Sequence, residues 1–213
     1  MAALANEIDK AVQVAVQFMA EKNSRGTVIT DLFQGAQQLV SDRWHMGLAT
    51  ALDEYRVSQA IAESMTVLPP AQPVGQFGAG SRALLSTIKP EQHDLGLRLA
   101  GLALADDGWD VHIVTGIEGG ELPARASESG AHLVGISATY PTQSLRWQLS
   151  ALIPVLHSLA LPVIVGGAAF VRQPTLADQV DADATAADAR CGVILARRLR
   201  LTHRHLWKSL SRP

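Results

Sequence analysis

The stretch that decides the fold is RALLSTIKPEQHDLGLRLAGLALAD, which runs from Arg82 to Asp106. It opens with a short apolar run, Arg82 to Ile88, whose length is typical of a strand. A polar loop follows, and the residues from Asp94 to Asp107 have the composition of a helix. A strand joined to a helix through a polar loop is the opening unit of an α/β layer, and it predicts more such units along the chain.

The alternation of strand and helix continues toward the C-terminus. Short apolar runs are separated there by longer helical stretches, which is the pattern of a Rossmann-like (flavodoxin-like), doubly wound parallel sheet. In such α/β folds, ligands bind at the carboxyl ends of the strands. The further strands are predicted at Asp110–Thr115, His132–Ser137, Pro162–Val165 and weakly at Asp183–Thr185, and the further helices at Leu122–Ser129, Gln143–Leu159 and Ala187–Leu201.

Residues 1–67 have a different, purely helical pattern with few Gly or Pro residues. Their apolar residues recur at helical spacing, so we predict three or four antiparallel helices in a small bundle. Thr30 or Asp31 is the candidate cap of the second helix, and a third segment runs from Gly47 to Met65. The apolar faces are Ile8, Val12, Ala15, Val16 and Met19 in the first helix, and Leu32, Phe33, Ala36, Leu39 and Val40 in the second.

The stretch between the two patterns, LPPAQPVGQFGAGS at 68–81, is rich in Pro and Gly, as linkers are. The chain is therefore predicted to consist of a helical bundle over 1–67, a linker over 68–81 and an α/β domain over 82–213.

Composition narrows the classes of function. The 213 residues carry a formal net charge of −2, which gives no reason to expect polyanion binding. Asp106 and Asp107 are interpreted as a solvated helix end. A basic stretch near the C-terminus is interpreted as a solvated helix face, with a docking surface for an acidic partner or nucleic acid as the alternative. It comprises Arg197, Arg198, Arg200, His203, Arg204, His205, Lys208 and Arg212.

Localisation signals point to the cytoplasm. Cys191 is the only cysteine, so the chain can form no internal disulfide, which fits a reducing compartment. The N-terminal run mixes Glu7, Asp9 and Lys10 among its apolar residues, unlike a signal peptide. No apolar run is long enough to predict a membrane span.

Three loops at the carboxyl ends of predicted strands hold the candidate functional residues. Each loop alone has an ordinary explanation, such as a solvent-facing histidine, a helix cap or a close backbone approach. Their order and spacing are what point to a single site. They contain Glu91, Gln92, His93, Asp94 and Gly96 after the first strand, Ser137, Thr139 and Tyr140 after the third, and Gly166 and Gly167 after the fourth.

This arrangement resembles the cobalamin-binding domain family. The family pattern is Asp/Glu-x-His-x-x-Gly, followed by Ser-x-Leu/Thr and then Gly-Gly. The sequence matches it with Glu91-x-His93-x-x-Gly96, Ser137-x-Thr139 and Gly166-Gly167. The resemblance covers the chain from about Ser81 onward, including Asp181–Ala189, which is similar to the family's last strand and helix start. It departs mildly at Glu91, where many members have Asp.

The resemblance implies roles for these residues. His93 is expected to be the lower cobalt ligand, with Glu91 bonding the other imidazole nitrogen. Gly96 would let the loop and helix approach the corrin, and Ser137 would hydrogen-bond the buried nucleotide tail. Gly166 and Gly167 would leave room for that tail. Gln92, Asp94, Thr139 and Tyr140 are included as neighbouring cofactor contacts.

The helical part carries a second resemblance. Trp44 and His45, together with Glu54-Tyr55, resemble the Trp-x9-Glu-His signature of cobalamin-dependent photoreceptors related to the CarH repressors, because nine residues lie between Trp44 and Glu54. Tyr55 stands where that family has histidine. The resemblance implies that Trp44 and Glu54 cover the upper corrin face in the dark. It also implies that His45 ligates cobalt there after light has broken the Co–C bond.

These resemblances lead to the expectation of a light-sensing regulatory protein rather than an enzyme. Adenosylcobalamin or methylcobalamin would be bound in the dark, and a hydroxo, aquo or bis-histidine form after light. Too few residues precede Ala2 for a helix-turn-helix domain, as in the AerR antirepressors. We therefore expect the partner to be a transcription factor or another regulatory protein rather than DNA. No membrane association is expected, and a homo-oligomer is an open alternative to a monomer.

Two other functions stay open at this point. The first is a corrinoid carrier of a methyltransferase system, which has a similar bundle and the same α/β module. The second is a passive cobalamin store or chaperone. A photoreceptor changes its spectrum under green light without added protein, whereas a carrier needs partner enzymes.

Overall fold

The computed structural model describes residues 2–21, 24–71 and 80–210, with side chains described at 8–21, 24–71 and 80–202. The chain divides into two compact units, residues 1–71 and 72–213. Most of the predicted linker, residues 72–79, lies outside the described residues. Among the described helices, none is both long and apolar enough to cross a membrane.

The first unit is entirely helical over its described residues. Its helices are α1 (Ala2–Ala20), α2 (Arg25–Thr27), a π-helical segment (Val28–Gln34), α3 (Gly35–His45) and α4 (Ala51–Thr66). The core of this unit includes the fully buried Val28 and Ile29 together with Ala15, Phe33 and Ile61. The helical composition of the first unit is therefore confirmed.

The starts of two helices differ from the sequence prediction. The second helix begins at Arg25, because the Ser24 hydroxyl accepts a hydrogen bond from the Thr27 N–H. Thr30 is not a cap, since its hydroxyl donates back to the Gly26 carbonyl inside the helix. The helix predicted from Gly47 begins at Ala51, after a capping box formed by Thr50 and Asp53.

Two residues assigned to apolar faces are exposed. The side chain of Val16 is 46% exposed and that of Leu39 is 61% exposed. Helical spacing places both beside buried neighbours, Ala15 and Val40, but the helix faces that reach the core are narrower than the apolar stripes in the sequence.

The second unit is a five-stranded sheet in which all the pairings are parallel. The strand order is β2-β1-β3-β4-β5, which is the flavodoxin-like doubly wound order. The predicted fold class is therefore confirmed. The strands are β1 (Arg82–Ile88), β2 (Asp110–Ile117), β3 (Leu133–Ser137), β4 (Val163–Gly166) and β5 (Ala184–Ala186), and the helices are α5 (Leu95–Asp106), α6 (Leu122–Glu128), α7 (Gln143–Ser158), α8 (Ala168–Arg172), α9 (Leu176–Gln179) and α10 (Ala189–Leu210).

Helices cover both faces of this sheet, so its central strands are almost continuously apolar. One face packs against α6 and α7, and the other against α5 and α10. Strand β1 shows the alternation, because Leu84 faces α7 while Ala83 and Leu85 face α5 and α10. The two short helices α8 and α9 were not predicted from the sequence.

An ion pair between Arg197 and the buried Asp107 ties α10 to the end of α5, and it contradicts the sequence-based interpretation of both residues. The side chain of Asp107 is only 2% exposed, so this residue is not a solvated helix end. Its Oδ1 accepts hydrogen bonds from Nε and Nη2 of Arg197 at 2.8 and 2.5 Å, and its Oδ2 accepts one from the indole of Trp109 at 3.2 Å. Arg197 is therefore a structural cation and not part of a free basic face. The side chains of the basic stretch after residue 202 lie outside the described residues.

Replacing Arg197 by methionine is expected to lower the free energy of unfolding by about 2 kcal/mol, because the buried Asp107 carboxylate loses its charged partner. The free energy is measured by urea denaturation. Arg198→Met is the matched control, since Arg198 is exposed on the same helix. Equal stability of the two variants would show that this ion pair does not hold α10 in place.

Candidate cofactor-binding site

The candidate residues converge where the strand order reverses. Strands β1 and β3 are neighbours in the sheet although β2 lies between them in sequence, so the loops that follow them leave in opposite directions. This switch point is where doubly wound sheets bind ligands. His93 lies in the loop after β1, and Thr139 and Tyr140 lie in the loop after β3.

Glu91 is the centre of this site. Its side chain is only 9% exposed, whereas that of His93 is 59% exposed. Glu91 Oε1 accepts hydrogen bonds from the backbone N–H of Gln92 at 3.0 Å, from the backbone N–H of His93 at 2.8 Å and from the His93 imidazole at 2.6 Å. The short loop thus folds around one carboxylate oxygen, which fixes the orientation of the imidazole.

The other carboxylate oxygen joins the two loops. Glu91 Oε2 accepts a hydrogen bond of 2.6 Å from the backbone N–H of Thr139. Burial raises the pKa of the Glu91 carboxyl, but the hydrogen bonds from His93 and Thr139 outweigh burial and place its pKa below the usual value. The carboxylate is therefore ionised at neutral pH, which is the state that accepts all of these hydrogen bonds.

The tautomer of His93 follows from this contact. Nδ1 faces an ionised carboxylate, which only accepts hydrogen bonds, so Nδ1 carries the proton. In the neutral imidazole the lone pair then lies on Nε2, which has no hydrogen-bond partner among the residues that the structure describes. A neutral imidazole fixed through Nδ1 and open at Nε2 is the arrangement of a metal-ligating histidine.

A metal ion bound by His93 would need its remaining ligands from a cofactor rather than from the protein. Over the described part of the chain, no group of three or more His, Cys, Asp and Glu side chains is placed to hold a metal ion. A single imidazole suits a metal that a macrocycle already holds, as in a corrinoid. The donor set of this site therefore fits cobalamin.

Tyr140 and Arg172 extend the site beyond Thr139. The Tyr140 ring lies edge-on to the His93 imidazole, with 6.0 Å between ring centroids. The guanidinium carbon of Arg172 lies 5.6 Å from the centre of the Tyr140 ring, and Nη1 donates to the Thr139 carbonyl at 3.0 Å. Arg172 was not predicted as a site residue, because a lone arginine after Gly-Gly belongs to no motif.

An open cleft runs from His93 along the start of α7. Its wall is mostly apolar, with a few ionisable, amide and hydroxyl groups, which is the usual composition of a ligand site. Of the predicted residues it includes Glu91, Gln92, His93 and Tyr140. The full lining is Ile88, Lys89, Pro90, Glu91, Gln92, His93, Ala138, Tyr140, Thr142, Leu145 and Gln148.

Packing within the chain itself explains the glycines at positions 166 and 167. A Cβ on Gly166 would lie 3.0 Å from the carbonyl oxygen of Ala186, and one on Gly167 would lie 2.5 Å from that of Ala138. Gly167 also has φ +93° and ψ 175°, a conformation that is essentially restricted to glycine. The close approach to Ala138 therefore requires glycine at position 167, and the Ala186 carbonyl leaves little room for a side chain at position 166. That they also leave room for a nucleotide tail stays a prediction.

Ser137 lies beside these glycines. It pairs with Gly166 in the β3–β4 ladder, and its hydroxyl oxygen is 2.9 Å from the position of a Cβ on Gly167. Asp94 is the residue before α5, where its side chain makes no cap hydrogen bond.

Packing within the chain does not explain the glycine at position 96. It lies in the first turn of α5, and a Cβ there would meet nothing within 4 Å. Glycine costs stability in a helix relative to alanine, so the folded chain by itself gains nothing from it. The open space at this exposed position, three residues after His93, agrees with the prediction that Gly96 lets the start of the helix approach a corrin.

Gly96→Ala is expected to leave the free energy of unfolding unchanged or slightly raised, while weakening cobalamin binding by about tenfold or more, equivalent to about 1.4 kcal/mol. Thermal denaturation checks the expected stability, and titration with hydroxocobalamin checks the expected loss of affinity. If the variant binds as tightly as the wild type, the space over Gly96 is not used by the corrin.

In the helical unit, the predicted residues gather at one end of α3 and α4. Trp44 and His45 end α3, and Glu54 and Tyr55 lie in the first turns of α4. The Trp44 and His45 rings meet edge to face, 5.1 Å apart. His45 Nδ1 lies 2.7 Å from the Ser41 carbonyl oxygen, so Nδ1 is the protonated nitrogen. This end is unusually apolar and exposed, at Trp44, Met46, Leu48, Leu52 and Tyr55.

Comparison with known proteins found no matching family model and no matching curated protein. Solved structures do match. The monomethylamine corrinoid protein of Methanosarcina barkeri has a TM-score of 0.73 at 16% identity, over 90% of this chain and 95% of that one. A cobalamin-binding protein from Desulfitobacterium hafniense DCB-2 has a TM-score of 0.51 at 18% identity, over 92% of this chain and 98% of that one. The chain shares the fold of these two proteins.

Proposed function

We propose that the protein binds cobalamin at the β1/β3 switch point, with His93 as the lower axial ligand of cobalt. The observation that carries the proposal is the fixed imidazole, whose Nδ1 is held at 2.6 Å by the buried Glu91 carboxylate while the side chain of His93 is 59% exposed. The corrinoid-protein fold supports it, and so does the unexplained glycine at position 96.

The residues of the site have separable tasks in this proposal. Bound cobalamin supplies a cobalt centre that carries a methyl group or another alkyl group. Glu91 keeps the proton on Nδ1 of His93, so that Nε2 stays available as a donor. The Thr139 N–H holds Glu91 in place from the neighbouring loop. Gly96 leaves open space for the corrin at the start of α5, and Ser137 lies near Gly167 to meet the nucleotide tail.

The biological role that we favour is that of a corrinoid carrier in a methyl-transfer system. The monomethylamine corrinoid protein supports this role, because the similarity extends over nearly the full length of both chains and its name joins a corrinoid to a methylated amine. In this role the protein contributes no acid or base of its own, and its partners are methyltransferases.

Light-sensing regulation is the second candidate, and the end of α3 favours it. His45 has its Nδ1 proton on the Ser41 carbonyl, which leaves the lone pair on Nε2, and Trp44 lies against its ring. An exposed imidazole of this kind is suited to ligate a metal. A cobalt that must exchange methyl groups is poorly served by such a competing ligand, so His45 distinguishes the two roles.

Absorption spectra in darkness and after green light separate the candidates. The protein is loaded with methylcobalamin or adenosylcobalamin, and wild type is compared with His45→Ala and with the control His112→Ala, an exposed histidine on β2. A carrier gives the same illuminated spectrum in all three proteins. A light sensor gives a stable product that changes only in His45→Ala. Absence of cobalamin binding by the wild type would contradict both.

A further inference from the structure

Arg172 is connected to His93 by two independent routes. Through hydrogen bonds, its Nη1 donates to the Thr139 carbonyl, the Thr139 N–H donates to Glu91 Oε2, and Glu91 Oε1 accepts from His93 Nδ1. Through ring contacts, its guanidinium lies over Tyr140, whose ring meets the imidazole edge-on. Both routes start on α8, immediately after Gly166-Gly167, and end on the same imidazole.

The two routes constrain different motions of the imidazole. The backbone of Thr139 is held at its N–H by the Glu91 carboxylate and at its C=O by the Arg172 guanidinium. The loop after β3 therefore cannot move without breaking a charge-assisted hydrogen bond. That loop in turn holds Glu91. The Tyr140 ring limits rotation of the imidazole about its own side chain, and Arg172 limits the movement of that ring by a cation–π contact.

The geometry points to Arg172 and Tyr140 as positioning residues that set the orientation of the axial imidazole of His93, and thereby the strength of its bond to a corrinoid cobalt. This inference rests on the proposed function, because it assigns the support of the same ligand. Neither residue touches the metal in this account. Outer contacts of metal-bound histidines typically change metal affinity by about ten- to a hundredfold when they are removed.

Matched variants separate positioning from folding. Arg172→Gln removes the charge and the stacking, while Arg172→Lys keeps only the charge. Tyr140→Leu removes the ring, while Tyr140→Phe keeps it. Arg172 and Tyr140 are exposed, so these changes are expected to leave the thermal midpoint nearly unchanged. Arg125→Gln is the control, because Arg125 is an exposed arginine that pairs with Glu128 on its own helix.

Two readouts are taken for each variant: the dissociation constant for hydroxocobalamin, and the electron paramagnetic resonance spectrum of cob(II)alamin bound to protein labelled with nitrogen-15 histidine. We expect about tenfold weaker binding for Arg172→Gln and Tyr140→Leu. Their spectra should mix forms with and without coupling to a histidine nitrogen. Arg125→Gln should match the wild type, Tyr140→Phe should keep the histidine coupling that is partly lost in Tyr140→Leu, and Arg172→Lys should lie between wild type and Arg172→Gln.

The inference is overturned if Arg172→Gln and Tyr140→Leu match the wild type in both readouts while the wild type shows histidine coupling. In that case the proposed function stands without it. If the wild type shows no histidine coupling, the proposed function fails, and the inference fails with it.

Discussion

Replacing His93 by alanine is expected to weaken hydroxocobalamin binding by more than about a hundredfold, since changes in the surroundings of a metal-bound histidine alone cost about ten- to a hundredfold. The physical reason is the loss of the one donor nitrogen that the site presents. Its partner Glu91 would remain buried, with its hydrogen bonds from the backbone N–H groups intact. Isothermal titration calorimetry measures the change in affinity directly.

Two controls make the His93 result specific. Thermal denaturation should show that His93→Ala folds, because the imidazole is 59% exposed and fills no core position. His112→Ala removes another exposed histidine and should bind like the wild type. Wild-type affinity in His93→Ala would mean that cobalamin, if it binds, does so elsewhere or with its own benzimidazole still on the cobalt.

Gly167→Ala is expected to lower the free energy of unfolding by about 3 kcal/mol or more, because backbone strain and a steric clash add together. Alanine disfavours φ +93° with ψ 175°. Its Cβ would also lie 2.5 Å from the Ala138 carbonyl oxygen, which cannot move away freely because it accepts a hydrogen bond from the Ala169 N–H. Urea denaturation followed by circular dichroism measures the loss.

Gly96→Ala is the matched comparison for this stability effect, because its Cβ enters open space at a helical position. The two variants should therefore show different losses: Gly167→Ala should unfold more easily, and Gly96→Ala should bind cobalamin more weakly. A Gly167→Ala protein as stable as the wild type would mean that the close approach of the loop after β4 to Ala138 is not maintained in solution.

The fold could be predicted because strand and helix periodicity are local properties. Apolar runs such as Arg82–Ile88 and Pro162–Val165 correspond to β1 and β4 within a residue or so. Helix starts were less predictable in the first unit, where Ser24 and Thr30 are both good capping residues in sequence. Which hydroxyl finds a free N–H and which bonds back to a carbonyl is settled only by the folded helix.

The candidate site could be predicted in part for a related reason. A parallel sheet brings the loops after its strands to one edge, so His93 and Thr139 were expected to be neighbours. The chain gave no local signal for contacts that depend on tertiary packing, such as Arg172 over Tyr140 or Arg197 on the buried Asp107. The glycines also could not be told apart from the sequence. A Cβ would enter open space at position 96, whereas at position 167 it would clash with the Ala138 carbonyl oxygen.

The central claim is that the imidazole of His93 is bonded to the cobalt of bound cobalamin. The most direct test is electron paramagnetic resonance of cob(II)alamin on protein labelled with nitrogen-15 histidine. Coupling of the unpaired electron to one axial nitrogen splits each cobalt line into a triplet for ordinary nitrogen and a doublet for the heavier isotope. The account predicts that labelling converts triplets to doublets in the wild type, and that His93→Ala abolishes this change. Triplets that persist in the labelled wild type would show that the axial nitrogen belongs to the cofactor, and would contradict the account.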